Sequence, residues 1–408
     1  MCEFKFANLG LIPCLVGSNS SSMRNLIFFW SGFTLRLSAF FQLTFLLLSS
    51  PQTEAKVPDN LSCFIGTTEK EKGGIYQIDF DSANGRFSSA RLVAKASKPN
   101  FLTLHPHLPK LYAVASWEKS YGVVGYDIST DNNLTEFSRT ANPDGPGCHI
   151  AVHPTGRFLL TAQYGGGSVT LFPLDPKGKI GTPIIIEHSG GAKVHGNRQN
   201  SPHPHWCGFS PCGKYALVPD LGLDQVVIYK VDQEALRLVY HGEAIAAPGS
   251  GPRHLRFSKD GKLIYLLNEL DLTVHTFSWN AKSGRANSFS IVHTLTEETK
   301  SKESFNSAAE ILVHPSGSFL YTSNRGHDSV TAYRLDKIGQ PEVIQVQPVR
   351  GAFPRNINMD QAGNWLFACG QHSGTISAHR VNRNNGRLTY QKGAIARVPD
   401  PSCLVVYE

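Results

Sequence analysis

One pattern recurs six times along this chain and restricts its folding more than any other feature. A short apolar run enters a turn of the form HPxG or SxxG, and a second β-rich run follows and ends on polar residues. The copies are LHPHLPKLYAVAS at Leu104, VHPTGRFLLTAQY at Val152, FSPCGKYALVPDL at Phe209, FSKDGKLIYLLNE at Phe257, VHPSGSFLYTSNR at Val313 and MDQAGNWLFACGQ at Met359. Their turn positions, His105, His153, Ser210, Ser258, His314 and Asp360, stand 46 to 57 residues apart, which is the spacing of four-stranded propeller blades. A chain of 408 residues would otherwise suggest two or three domains, but closed β architectures run longer as one unit.

Upstream of the first copy, LSCFIGT, GGIYQIDF and FSSARLVAK read as three strands of a unit that lacks its first. The missing strand is supplied at the other end by PSCLVVYE, Pro401 to Glu408, which matches the first strand of a blade. The expectation is an all-β, seven-bladed β-propeller of four-stranded antiparallel blades. The C-terminal strand pairs with the N-terminal blade at Leu61 to Thr67, so that no sheet edge is left at the seam.

Residues 1–55 differ in character from the propeller expected over 56–408. Arg24 and Arg36, an apolar stretch from Leu37 to Leu48 and then SSPQTEA resemble a signal peptide, with Met23 as an alternative start. The apolar run is too short to span a bilayer, so stable membrane insertion is not expected. A cleaved leader implies an exported protein, periplasmic or secreted; a disordered extension on a cytoplasmic protein is the alternative. The net charge of +7 without a Lys/Arg block argues against nucleic acid and suits an anionic small molecule. Six cysteines lie beyond the leader at spacings that fit neither a zinc site nor a dense disulfide framework.

The turn residues His105, His153 and His314 alternate with Ser and Asp in other copies, so a hydrogen-bonding role in the turn is expected of them. Chemistry is sought instead where the copies disagree. Before each turn the units read GCHI, PHWC, PRHL, AEIL and PRNI, supplying His149, His205, Arg253 with His254, Glu310, and Arg355; His203 stands two residues before His205 in PHPHW. Ten and eleven residues after each turn position stand Gln163 and Tyr164, Asp220, Asn268 and Glu269, Asn324 and Arg325, and Gln371. Consecutive antiparallel strands start and end on one side, so both sets are expected at one mouth of the central channel. Arginine binds carboxylate or phosphate through paired hydrogen bonds, while His and Glu move protons near neutral pH. A network of mutually satisfied ion pairs is the structural alternative.

The segments PHPHW, GSGPRHLRFSKDGKLIYLLNE, AAEILVHPSGSFLYTSNRGHDSV and PRNINMDQAGNWLFACGQHSGTI resemble the seven-bladed-propeller lactonase family, which includes a bacterial class of 6-phosphogluconolactonase and the fungal carboxy-muconate cyclase. The resemblance covers roughly Leu61 to Glu408. It implies a site without metal or cofactor, whose catalytic residues correspond to His205, Glu269, Arg253 and Arg325. His149, Gln163, His203, His254, Glu310 and Arg355 are added here as substrate-binding candidates. The leader departs from the cytoplasmic members.

Three functions fit: a lactonase that hydrolyses a sugar lactone, with His205 or Glu269 activating water; a carboxy-muconate cycloisomerase using the same groups; and a non-enzymatic interaction scaffold. A monomer acting on a small anionic substrate is expected in the first two. The GxSxG, Walker, HExxH and dinucleotide signatures are absent.

Overall fold

The computed structural model describes residues 60–69 and 71–408; the expected leader lies outside the described residues. The described strands form seven antiparallel sheets, each with its inner strand at a central axis. Blade 5 shows the plan: Pro252–Phe257 innermost, then Leu263–Asn268, Thr273–Asn280 and Arg285–His293 outermost. Its second strand is apolar and almost wholly buried because neighbouring blades cover both of its faces, whereas the outer strand RANSFSIVH alternates toward solvent. The helices among the described residues are two four-residue turns, Gly196–Gln199 and Glu297–Lys300, both in long connections.

Closure occurs where the sequence places it. Pro401–Tyr407 pairs antiparallel with Asn60–Thr67, with Cys63 opposite Val406 and Ile65 opposite Leu404, and forms the inner strand of blade 1. The core lies between blades. At the seam, Leu61, Cys63, Ile65 and Phe80 of blade 1 pack with Trp365, Phe367, Cys369 and Ile376 of blade 7. Phe80 meets Trp365 edge-on, ring centroids 4.9 Å apart.

The turn histidines link one blade to the next. His314 Nε2 donates to the Gly363 carbonyl at 2.9 Å, His153 Nε2 to Gly213 at 2.9 Å and His105 Nε2 to Gly156 at 3.1 Å. Each acceptor glycine sits in its own blade's turn at positive φ, 73° for Gly363. A Cβ there would lie 2.4 Å from the His314 ring, so glycine is required both for the turn and for the approach of the imidazole.

Candidate active site

The inner strands all begin at the same mouth, and a register irregularity at that point shapes the site. The pairing slips between Pro252 and His254 in blade 5, between Ala308 and Ile311 in blade 6, and between Pro354 and Asn356 in blade 7. A bulge interrupts the strict in-out alternation of a strand and re-aims side chains. Successive residues therefore both serve the channel, at different depths.

The outer tier gathers His205, Arg253 and Arg355 with Glu269, which follows the second strand of blade 5, and Arg325, which ends that of blade 6. Glu269 is the centre: its Oε2 accepts from Arg253 Nε at 2.9 Å and from Arg325 Nη2 at 3.1 Å, and its Oε1 accepts from Arg198 Nη2 at 2.6 Å. Arg253 also donates to the Ala309 carbonyl, and Arg325 Nη2 to the Ala308 carbonyl at 3.0 Å. His205 Nε2 faces Glu269 Oε2 at 4.0 Å, while its Nδ1 is buried without a hydrogen-bond partner among the described residues. Arg355, half-buried, makes no hydrogen bond or ion pair among the described residues.

Burial opposes charge on Glu269, but Arg325 and Arg253, helped by His205 and Arg198, overcome it and hold the carboxyl well below the usual range. Burial, then the nearby Arg253, keep His205 well below the ordinary histidine value, so its imidazole is neutral at physiological pH. Burial and repulsion from Arg253 and Arg355 push Arg325 down to about 9, and burial with Arg253 pushes Arg355 down to about 10. Both guanidiniums remain charged at neutrality.

The deeper tier holds His149, His254 and Glu310. His254 Nδ1 donates to Glu310 Oε1 at 2.9 Å, and the carboxylate also accepts from Arg256 at 3.0 Å and from Asn356 at 2.8 Å. His149 takes the Cys207 amide on Nδ1 at 3.3 Å and lies beside Phe101, Trp206 and His254. This layer lines a cavity of about 300 Å³: His149, Arg256, Glu310 and Asn356 border it together with later positions of the inner strands such as Thr103 and Leu312. Sequence reasoning put His149, His254 and Glu310 in the same ring as His205; the slips in blades 5 and 6 set His254 and Glu310 apart from Arg253 and its neighbours, and His149 joins them through its ring contact with His254.

Alternation also divides the pairs at the ends of the second strands. Gln163 is fully buried, its amide taken by Thr161 Oγ1 at 2.6 Å and Thr170 Oγ1 at 3.1 Å, and Asn268 and Asn324 are likewise bound to hydroxyls of the adjoining strand. The next residue in each case, Tyr164, Glu269 or Arg325, reaches the mouth. Gln163 therefore stands apart from the gathered group, and Tyr164 stands in it. His203 donates from Nδ1 to the Tyr164 carbonyl at 2.7 Å and stacks on its ring at 4.5 Å.

The sequence offset already places Tyr164 at the mouth beside Gln163, with Gln163 the candidate of that pair; Arg198 escapes the sequence reading altogether. Tyr164 shares its register with Glu269 and Arg325. Arg198 lies in a connection that has no counterpart among the repeats.

Residues 62–406 match the family described as Lactonase, 7-bladed beta-propeller. A 6-phosphogluconolactonase of Bacillus subtilis is 28% identical over 84% of this chain and 97% of its own length. One of Serratia proteamaculans is 27% identical over 82% of this chain and 95% of its own. Among solved structures, a periplasmic gluconolactonase of Pseudomonas aeruginosa superposes with a TM-score of 0.78 at 26% identity, covering 86% of this chain and 99% of that one.

Proposed function

Because this chain belongs to the lactonase family of seven-bladed β-propellers, we propose that it hydrolyses a sugar lactone bearing a further anionic group, such as 6-phosphogluconolactone, to the open hydroxy acid. The observation that carries this reading is the charge imbalance at the mouth. Three guanidiniums, of Arg198, Arg253 and Arg325, share the carboxylate of Glu269, and a fourth, of Arg355, makes no hydrogen bond or ion pair among the described residues. Holding uncompensated positive charge out of water is costly. An anionic substrate removes that cost, and arginine meets carboxylate or phosphate with paired hydrogen bonds.

In this reading His205 is the general base. Its imidazole is neutral, whereas Glu269 is saturated by three guanidiniums and is the poorer proton acceptor. His205 Nε2 takes a proton from water as the water oxygen bonds to the lactone carbonyl carbon. The tetrahedral oxyanion is stabilised by the guanidinium donors that Glu269 leaves free, among them Arg325 Nε, which is buried without a hydrogen-bond partner among the described residues. Collapse breaks the ring carbon–oxygen bond, and the departing alkoxide recovers the proton from His205, giving carboxylic acid and hydroxyl. Glu269 serves as the fixed counter-charge that orients Arg253 and Arg325. The relatives' names, 6-phosphogluconolactonase and gluconolactonase, support the reaction class and leave the phosphate as the point to test.

The deciding experiment is a panel assay of the purified protein on 6-phosphogluconolactone, gluconolactone and carboxy-muconates. Lactone opening faster than the spontaneous reaction is expected. A folded protein that opens no lactone sinks the reading, and conversion of muconates alone moves the same residues to cyclase chemistry.

A further inference from the structure

Arg198 differs from the other arginines at the mouth in origin and in freedom. It comes from the connection between blades 3 and 4, on the turn Gly196–Gln199. The adjacent Gln199 is fully buried and nails that turn down: its Nε2 donates to the Leu221 carbonyl at 3.0 Å and to Asp224 Oδ1 at 2.7 Å, and its Oε1 accepts from the His195 amide at 3.1 Å. Asp224 in turn accepts the amides of Gly249 and Gly251 at 2.5 and 2.9 Å, just ahead of Arg253. The root of Arg198 is thus fastened to the frame that carries Arg253, while its side chain is 42% exposed.

That side chain spans the mouth, from Tyr164 Oη at 3.1 Å on its Nε to Glu269 Oε1 at 2.6 Å on its Nη2. Its Nη1 has no partner among the described residues. Glu269 does not need this third guanidinium, since Arg253 and Arg325 already neutralise it. Removing either of those would strand a buried charge, at heavy cost. Arg198, by contrast, keeps access to water, its side chain 42% exposed against 2% for Arg253 and 7% for Arg325, so its guanidinium can leave Glu269 without being stranded in the interior. Of the cations around Glu269, Arg198 is the one able to exchange its partner.

We propose that Arg198 is a displaceable anion-reading arm. In the empty site it rests on Glu269 Oε1; when substrate enters, it transfers to the anionic group at the far end of the lactone from the reacting carbonyl, with Tyr164 Oη steadying its Nε. Glu269 then keeps Arg253 and Arg325 and loses one of its three restraining cations. The arm discriminates between a lactone with a phosphate and one without, because only the former gives its guanidinium a new partner. This inference rests on the lactonase reading.

The test is the ratio of kcat/KM for 6-phosphogluconolactone over gluconolactone in the native protein, Arg198→Ala and Arg198→Lys, with inorganic phosphate binding measured by calorimetry on the same proteins. A lost charged hydrogen bond predicts that the ratio falls about tenfold or more in Arg198→Ala. Partial recovery is expected in Arg198→Lys, and phosphate binding should weaken by a similar factor in Arg198→Ala. A ratio that stays constant while both lactones lose activity alike assigns Arg198 to Glu269 alone and overturns the proposal. So does undiminished phosphate binding. Should the native protein open neither lactone, the lactonase reading fails, and the phosphate measurement decides the role of Arg198 by itself.

Discussion

His205 Nε2 stands 4.0 Å from Glu269 Oε2, beyond hydrogen-bond reach, so the two groups able to take a proton at this mouth are neighbours that do not bond to each other. Their roles separate by substitution. His205→Ala is expected to lower kcat by about a hundredfold or more with little change in KM. Glu269→Gln leaves Arg253 and Arg325 without their counter-charge and is expected to cost roughly 3–5 kcal/mol of stability. Steady-state kinetics and denaturant unfolding of both variants check this. A Glu269→Gln protein as stable as the native one would remove its anchoring role.

Arg355 predicts the opposite pattern. It has no partner among the described residues, and its charge is disfavoured by burial and by Arg253. Arg355→Ala should raise KM for an anionic lactone by about tenfold, while the melting temperature stays level or rises. Paired loss of stability and activity would instead mark Arg355 as structural.

Acid sensitivity is expected in a defined window. Burial, then neighbouring positive groups, hold His149, His205 and His254 well below the ordinary value, and burial pushes His275 and His379 down to about 4. Unfolded histidines bind a proton near 6.5, so below that pH the unfolded chain binds more protons than the folded one. Stability is therefore full above about pH 7 and falls from about 6.5 toward 4. Glu269 has the depressed carboxylate sign: its contribution is present above the unfolded value near 4.3 and is lost only in stronger acid. Melting temperatures recorded from pH 8 to 5 should show the decline, offset in part by Asp360, whose carboxyl burial pushes up to about 6 and which takes up its proton in the folded state within this window. A flat profile down to pH 5 would contradict neutral burial of these rings.

Removal of Pro401–Glu408 should destabilise every blade. The segment is the inner strand of blade 1, and it also ties blades 7 and 2. Leu404 N donates to Asn356 Oδ1 at 3.0 Å, Asn358 donates to the Leu404 carbonyl at 2.7 Å, and Ser402 Oγ donates to the Asn100 carbonyl at 3.0 Å. Without it the edge of Asn60–Thr67 is bare and the seam core opens. Thermal unfolding of the truncated chain with a native midpoint would refute the closure argument.

Blade number, strand order, the closing strand and the mouth positions of Arg253, Glu269 and Arg325 could be read from sequence alone. They follow from local periodicities: apolar runs, turn glycines and a polar residue at a constant offset from each turn. The same offset contained Tyr164, passed over because only the first residue of its pair, Gln163, was taken up as a candidate. What the tertiary structure decided is which of two adjacent residues faces the channel and at what depth. That choice depends on the slipped pairing at Pro252/His254 and Pro354/Asn356, set by hydrogen bonds to another strand and by side-chain crowding at the axis. Arg198 arrives through contacts between Gln199, Leu221 and Asp224, more than twenty residues apart in the chain. A repeat pattern specifies what each blade does to itself; a loop that docks on two other blades is specified by their surfaces, which exist only after folding.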